Sequence, residues 1–379
     1  MSAPSDRAEP REGPSVASLG FAPLGFDRLT HWGRADHRAA LHAFRRSAPS
    51  LLRVDPAAAA GPLRRGRFAP AARAVLEGPA DPSRTEARLF FERFFRPAEI
   101  LSAGAPVSGF VTGYYEPELP ASRRATPRFR VPLYRRPADL VAVADDSAVA
   151  GLEPDTRFAL RAADGRLLPY PDRAAIEGGW LRGRGLELAF LEKPVDAFFV
   201  HVQGSARLAL PGGETMRVGY AAKNGHRFTA IGRVLVQAGE LPLEGADMAG
   251  IRRWLAAHPD RADALLHRNR SFIFFREVAV EPGAGPVGGA GVPLTPFGSL
   301  AVDAGLHAYG MPVFVEAPEL AVSGRPFRRL LVAQDTGSAI VGPARGDIFT
   351  GSGDAAGRVA GAIRHRARWL ALLPVEARP

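Results

Sequence analysis

The feature that most limits what this chain can fold into is its alternation of texture. A helical stretch gives way to a block of short strands, helices return, and strands resume to the end. Asp36 to Arg46 carries Ala40, Leu41 and Phe44 at helical spacing. Pro56 to Pro62 reads as a connector. Ser83 and Glu86 form a capping box ahead of a stripe of Ala87, Phe90, Phe91, Phe94 and Phe95, and Pro97 closes that helix. From Pro106 to about Tyr220 the chain reads as short strands with glycine and proline turns. Gly109 to Tyr115, Ala197 to Gln203, Arg207 to Leu210 and Thr215 to Tyr220 are the clearest, with a hairpin turn at Pro211-Gly212-Gly213. Helices are expected at Phe228–Ala238 (capped by Gly239), Ala246–Ala257 and Asp260–Leu266, and strands at Phe272–Phe275, Pro312–Glu316, Leu330–Ala333 and Asp347–Thr350. A glycine- and proline-rich loop spans Glu281 to Gly291. A last helix covers Asp354–His365 and a last strand Trp369–Leu373. This order predicts two domains, with residues 109–227 inserted into a second domain built from 20–108 and 228–379. Residues 1–19, rich in Pro, Ser and charge, read as a disordered tail without the apolar stretch of a signal peptide. A cleft between two such domains is a usual place for a ligand.

Composition narrows the chemistry. The 379 residues include no cysteine, which excludes disulfides, thiolate metal sites and cysteine nucleophiles. No apolar run approaches the roughly 18 residues of a membrane-spanning helix. The net charge of +10 invites an anionic partner, but the arginines are scattered rather than massed with aromatics, so nucleic acid is not expected. Only Lys193 and Lys223 are lysines among the 49 basic residues, and a compact ammonium kept where arginine is the default marks Lys223 for attention.

The densest polar segment is QDTGSAIVGPARGDIFTGSG, Gln334 to Gly353. Asp335 and Asp347 fall at strand ends among Gly337, Gly342, Gly346, Gly351 and Gly353, and Asp303 lies upstream in SLAVDAG. Carboxylates so placed can move protons on a bound substrate, and they can equally be turn residues that accept backbone N–H groups. Three carboxylates also raise a calcium or magnesium site, but the spacing fits no EF-hand and no paired histidines stand near, so neither metal nor cofactor is expected. In GYYEP, Tyr114 and Tyr115 must point to opposite faces of one strand. In VQGSARL and GYAAKNGHRF, the groups Gln203, Gly204, Ser205, Lys223, Asn224 and His226 suit a polyhydroxylated ligand, while Asn224-Gly225 also reads as a turn. There is no nucleophile elbow, P-loop or HExxH motif.

In their order along the chain, GYYEP, YPDRAAIEGG, VQGSARL, GYAAKNGHRFTAIGRVL, NRSFIFFRE, SLAVD and QDTGSAIVGPARGDIFTGSG resemble the membrane-bound lytic murein transglycosylase A family. The likeness covers most of Gly109 to Leu373, and its C-terminal part is similar to the three-aspartate (3D) domain, whose carboxylates fall here on Asp303, Asp335 and Asp347. The resemblance implies a mainly β fold with helices. A double-psi β-barrel would be formed by both chain ends, with an inserted second β-barrel and a glycan groove between them. It implies Asp347 of DIFTG as the single acid/base, with Asp335 and Asp303 shaping the site. Tyr114, Tyr115, Gln203, Gly204, Ser205, Lys223, Asn224, Gly337 and Gly346 would contact substrate, Gly346 by letting a sugar come close. The implied partner is the peptidoglycan glycan strand, and the implied compartment is the periplasm at the outer membrane, although this chain has no cysteine for the lipid anchor typical of the family. One carboxyl group would protonate the leaving oxygen and then take the proton of the muramic acid 6-hydroxyl, giving a 1,6-anhydro sugar. Two alternatives stay open: a hydrolase pairing Asp347 with Asp335, and a non-catalytic polysaccharide-binding protein.

Overall fold

The computed structural model describes residues 19–53, 65–143, 156–279, 284–337 and 339–375. The connector at Pro56–Pro62 and the tail, apart from Leu19, lie outside them. Two compact units form. One comprises Met1–Val111, Leu300–Gly346 and His365–Pro379, the other Thr112–Ser299 and Asp347–Arg364.

In the first unit, helix Arg38–Leu52 buries Ala40, Leu41, Ala43, Phe44, Ala48 and Leu51. Helix Arg84–Phe94 starts on the expected capping box: the Glu86 N–H donates to Ser83 Oγ at 3.2 Å and the Ser83 N–H to the Glu86 carboxylate at 2.8 Å. The phenylalanine stripe is core, with Phe91 and Phe95 fully buried and Phe44 and Phe95 meeting edge-on at 5.6 Å. The helix ends before Pro97 is reached, because Phe95 already opens the strand Phe95–Ser102. Gln334 is fully buried and its Nε2 donates to Ala43 O at 2.7 Å and Ser47 Oγ at 2.8 Å, which fastens helix Arg38–Leu52 to the strand Arg325–Asp335.

The main sheet runs in the order Leu19–Pro23, Phe95–Ser102, Arg364–Pro374, Pro312–Val322, Arg325–Asp335, Ser299–Val302, Arg345–Ser352, Gly109–Glu116. Gly109–Glu116 also pairs with Arg364–Pro374, so the last six strands close into a barrel that draws on distant parts of the chain. A closed barrel leaves no edge among these six strands. Gly346 is required by packing: a Cβ there would lie 2.5 Å from the Trp369 ring and 2.8 Å from Ala301 O.

The second unit holds a six-stranded sheet in the order Ile273–Val278, Thr215–Lys223, Ser205–Ala209, Glu118–Ser122, Glu187–Leu191, Val131–Tyr134. A bridge between Arg135 and Phe275 brings its two ends together, curling it into a second barrel. Two features differ from the sequence reading. Ala197–Gln203 is not a strand but the greater part of helix Pro194–Gln203. Its residues Ala197 to His201 are all buried, and an apolar run without periodicity does not separate helix from strand. Pro194 at the first turn and left-handed Gly204 just past the end (φ 76°) were the local signals. The second feature is the extent of the insert, expected from the sequence to end at residue 227. Helices Ile231–Gln237, Met248–Ala257 and Pro259–His267 pack on Phe198 and Phe199, and Ile273–Val278 then pairs with Thr215–Lys223. The chain therefore stays in this unit through Ser299.

Three of the described histidines are buried where their charged form is disfavoured. Burial lowers His37 to about 4, drives His201 well below its ordinary value, and lowers His307. The unfolded chain takes up protons at these positions near pH 6.5 and the folded chain does not, so stability falls as pH drops below that value. For His37 the cost is expected to approach about 1.4 kcal/mol per pH unit between its ordinary value and about 4. Urea unfolding near pH 7 and pH 5 checks this, and an unchanged midpoint would contradict it.

Candidate active site

The strands Gly109–Glu116 and Arg345–Ser352 are neighbours in the barrel. Side chains alternate faces along each, so Thr112 and Tyr114 share one face of the first, and Asp347 and Phe349 share one face of the second. The Thr112 hydroxyl donates to Asp347 Oδ1. The Tyr114 ring lies 5.4 Å from that of Phe349. A carboxylate held by a hydroxyl and a pair of aromatic rings thus stand side by side as two cross-strand pairs. Asp347 is half-buried.

Tyr115 points the other way and belongs to the core. It is 7% exposed, its hydroxyl reaches Met248 Sδ at 3.6 Å, and its ring covers Gly357, where a Cβ would approach to 2.8 Å. Burial pushes its phenol up. Its backbone N–H donates to Gln203 Oε1 at 3.1 Å. Gln203 ends helix Pro194–Gln203, and Gly204 turns the chain into the strand that starts at Ser205. Thr350 Oγ1 lies 3.0 Å from the carbonyl oxygens of both Tyr114 and Ala356, tying the two strands to helix Gly353–Ala362.

Glu116, inside GYYEP but not singled out by sequence, closes this region. Its side chain is fully buried. Arg217 Nη2 donates to Oε2 at 3.1 Å, and Ser352 Oγ donates to the same oxygen at 2.7 Å. Arg217 Nε stands 2.8 Å from Oε1 as an ion contact whose angle falls short of a hydrogen bond. Arg217 also donates to Gly285 O at 3.1 Å and Ala284 O at 2.8 Å. Burial raises the Glu116 carboxyl, opposed by Ser352 and by the charges of Arg217 and Arg207. The ion pair therefore joins Thr215–Lys223 to the ends of both strands that carry Thr112 and Asp347.

The remaining sequence candidates are distributed differently. Asn224 is 1% exposed, and its amide is spent on Pro171 O, Arg270 O and the Phe272 N–H, at 3.0, 3.0 and 2.9 Å. These bonds make it a staple of the fold. His226 meets Tyr170 O at 2.7 Å. Ser205 is buried opposite Gly219, and half-buried Lys223 ends its strand opposite Ile273. Asp303 and Asp335 belong to the first unit. Asp303 accepts the Gly305 and Gly342 N–H groups at 3.0 and 2.8 Å, and Asp335 accepts the Thr336 N–H at 2.9 Å. Gly337 lies against Ile340, where a Cβ would come within 3.2 Å of its side chain. Among the described residues, no group of three His, Cys, Asp or Glu side chains is placed to hold a metal ion.

A family model described as the MltA specific insert domain matches residues 110–276, and one described as the 3D domain matches residues 298–373. A membrane-bound lytic murein transglycosylase from Agrobacterium tumefaciens, known as a crystal structure, is 43% identical, with a TM-score of 0.85 over 94% of this chain and 98% of that one. The chain belongs to the membrane-bound lytic murein transglycosylase A family. The curated Escherichia coli K12 relative of that name is 33% identical over 263 residues, 68% of this chain and 63% of its own length. The Vibrio cholerae relative is 36% identical over 204 residues, 52% of this chain and 54% of its own. The chain thus spans a little over half to under two thirds of these curated relatives. A crystal structure of E. coli MltA with bound chitohexaose is similar at a TM-score of 0.67 and 26% identity, covering 99% of this chain and 100% of that one.

Breaking the Glu116–Arg217 pair from one side leaves a buried charge uncompensated. Glu116→Gln is expected to destabilise the protein by about 3–5 kcal/mol in urea unfolding. Adding Arg217→Met is expected to recover much of that loss. A single-variant cost below about 1 kcal/mol would show that the pair is not structural.

Proposed function

We propose that this MltA-family chain is a peptidoglycan lytic transglycosylase that cleaves the β-1,4 bond between N-acetylmuramic acid and N-acetylglucosamine, with Asp347 as its one acid/base. The observation that carries the reading is the face shared by Thr112–Asp347 and Tyr114–Phe349, within the segment that matches the 3D domain. Asp347 as a carboxylic acid gives its proton to the leaving glycosidic oxygen. The muramic acid 6-hydroxyl attacks C1, and its proton passes to the Asp347 carboxylate, which restores the acid. The new C1–O6 bond replaces the broken C1–O4 bond and no water is consumed. The substrate supplies the nucleophile, so one carboxyl group suffices where hydrolysis uses two.

Thr112 orients the Asp347 carboxyl through Oδ1. The half-buried ring of Tyr114 offers a face to a sugar, and the half-buried Gln203 a side-chain amide for hydroxyl or acetamide groups. Asp303 holds Gly342 in the turn before the Arg345–Ser352 strand. Chitohexaose bound to the E. coli relative supports a glycan ligand here. Relatives named membrane-bound support action at a membrane, and a peptidoglycan substrate fits the periplasmic side of the outer membrane. Among the described residues no helix is long and apolar enough to cross a membrane.

Asp347→Asn keeps the side chain's size and removes its transferable proton. Turnover of purified murein sacculi is expected to fall by at least about 10²- to 10⁴-fold, with an unchanged unfolding midpoint. Near-wild-type turnover would overturn the assignment.

A further inference from the structure

We infer that a cleft in the first unit, beside the turn joining Pro312–Val322 to Arg325–Asp335, binds phosphate groups, either on an anionic lipid headgroup or as free phosphate. The cleft encloses about 590 Å³ and is lined by Arg34, Arg84, Arg325, Arg328 and Arg329, with Asp36 the one carboxylate among its described lining residues. Asp36 is already engaged. Arg38 grips it through Nε at 3.0 Å and Nη2 at 2.7 Å and holds its carboxyl down to about 2, and Arg84 Nε lies 3.2 Å away.

Arg34, Arg325 and Arg328 stand apart from that pair. Among the described residues no carboxylate forms an ion pair with Arg34, Arg325 or Arg328. Glu316, opposite Arg328 in the ladder, instead accepts the Thr30 N–H at 2.6 Å and faces Arg368 at 3.6 Å. Arg329 is half-buried, 5.9 Å from the Phe327 ring centre, and burial lowers its affinity for its proton. The turn itself is tight, with Ser323 and Gly324 both at positive φ (52° and 72°), and Ser323 and Arg325 on either side of Gly324 line the cleft. An arginine-rich composition scatters exposed arginines everywhere, but it does not gather five around one cavity whose single carboxylate is already paired. Guanidinium forks bind oxyanions bidentately. One fork saturates a carboxylate's two oxygens, whereas the tetrahedral oxygens of phosphate accept several forks from different directions.

The test compares the full chain with the double variant Arg325→Gln/Arg328→Gln, and with a control, Arg124→Gln/Arg166→Gln, that removes the same charge elsewhere. Cosedimentation uses phosphatidylcholine vesicles with and without phosphatidylglycerol, and thermal unfolding uses inorganic phosphate. Retention on phosphatidylglycerol vesicles that falls roughly tenfold to thirtyfold in the cleft variant but not in the control supports a lipid headgroup. A phosphate-dependent rise in Tm in the wild type, absent from the cleft variant and without vesicle retention, supports free phosphate. The inference is overturned if neither probe separates wild type from the cleft variant, or if the control loses as much.

Discussion

The candidate active site depends on one buried ion pair. Glu116 and Arg217 are charged side chains in an apolar interior, and they are tolerable there only because each is met by the other and by further polar groups. Glu116 ends one strand of the Thr112–Asp347 pair, and its partner Ser352 ends the other. Arg217 brings in the Thr215–Lys223 strand and the carbonyls of Ala284 and Gly285. Two strands that meet only through backbone ladders can shift against one another, whereas strands clamped at one end by a shared carboxylate are held in register. Proton transfer by a single carboxyl group needs that fixity, because no second carboxylate compensates for a misplaced first one.

The chemistry proposed for Asp347 follows from the same economy. A hydrolase must position an acid, a nucleophile or base, and a water, and its two carboxyl groups stand at a set separation. An intramolecular attack by the sugar's own hydroxyl removes the water and the second carboxylate from the requirement. What remains is one oriented carboxyl group, here bonded to Thr112, and a surface that holds the sugar ring, here supported by Tyr114 packed on Phe349.

Much of this was legible in the sequence, and the exceptions have physical causes. The capping box at Ser83, the phenylalanine stripe and the last strands were visible because local propensity and periodicity agree there. Helix Pro194–Gln203 was misread because residues apolar on every side carry no periodic signal, though Pro194 and Gly204 bracketed it. The motifs gave the chain position of Asp347, but not which neighbours were ligand groups and which were staples. Asn224 and Gly346 stood out for their chemistry, and the structure gives each a further role in backbone satisfaction or packing that the motifs did not reveal. Glu116 and Arg217 carried the opposite signal: each is a charge whose immediate chain neighbours, Tyr115 and Pro117 or Met216 and Val218, become buried, which is the mark of a buried pair. Thr112 left no sequence signal, since its role appears only when two strands more than two hundred residues apart are laid side by side.

The claim that Asp347 works alone, with the substrate's hydroxyl as nucleophile, is tested most directly by digesting murein in ¹⁸O-labelled water and weighing the products. The account predicts muropeptides ending in unlabelled 1,6-anhydromuramic acid. Label at C1 of the muramic acid would show that water is the nucleophile and would contradict the account, even if Asp347 proved essential.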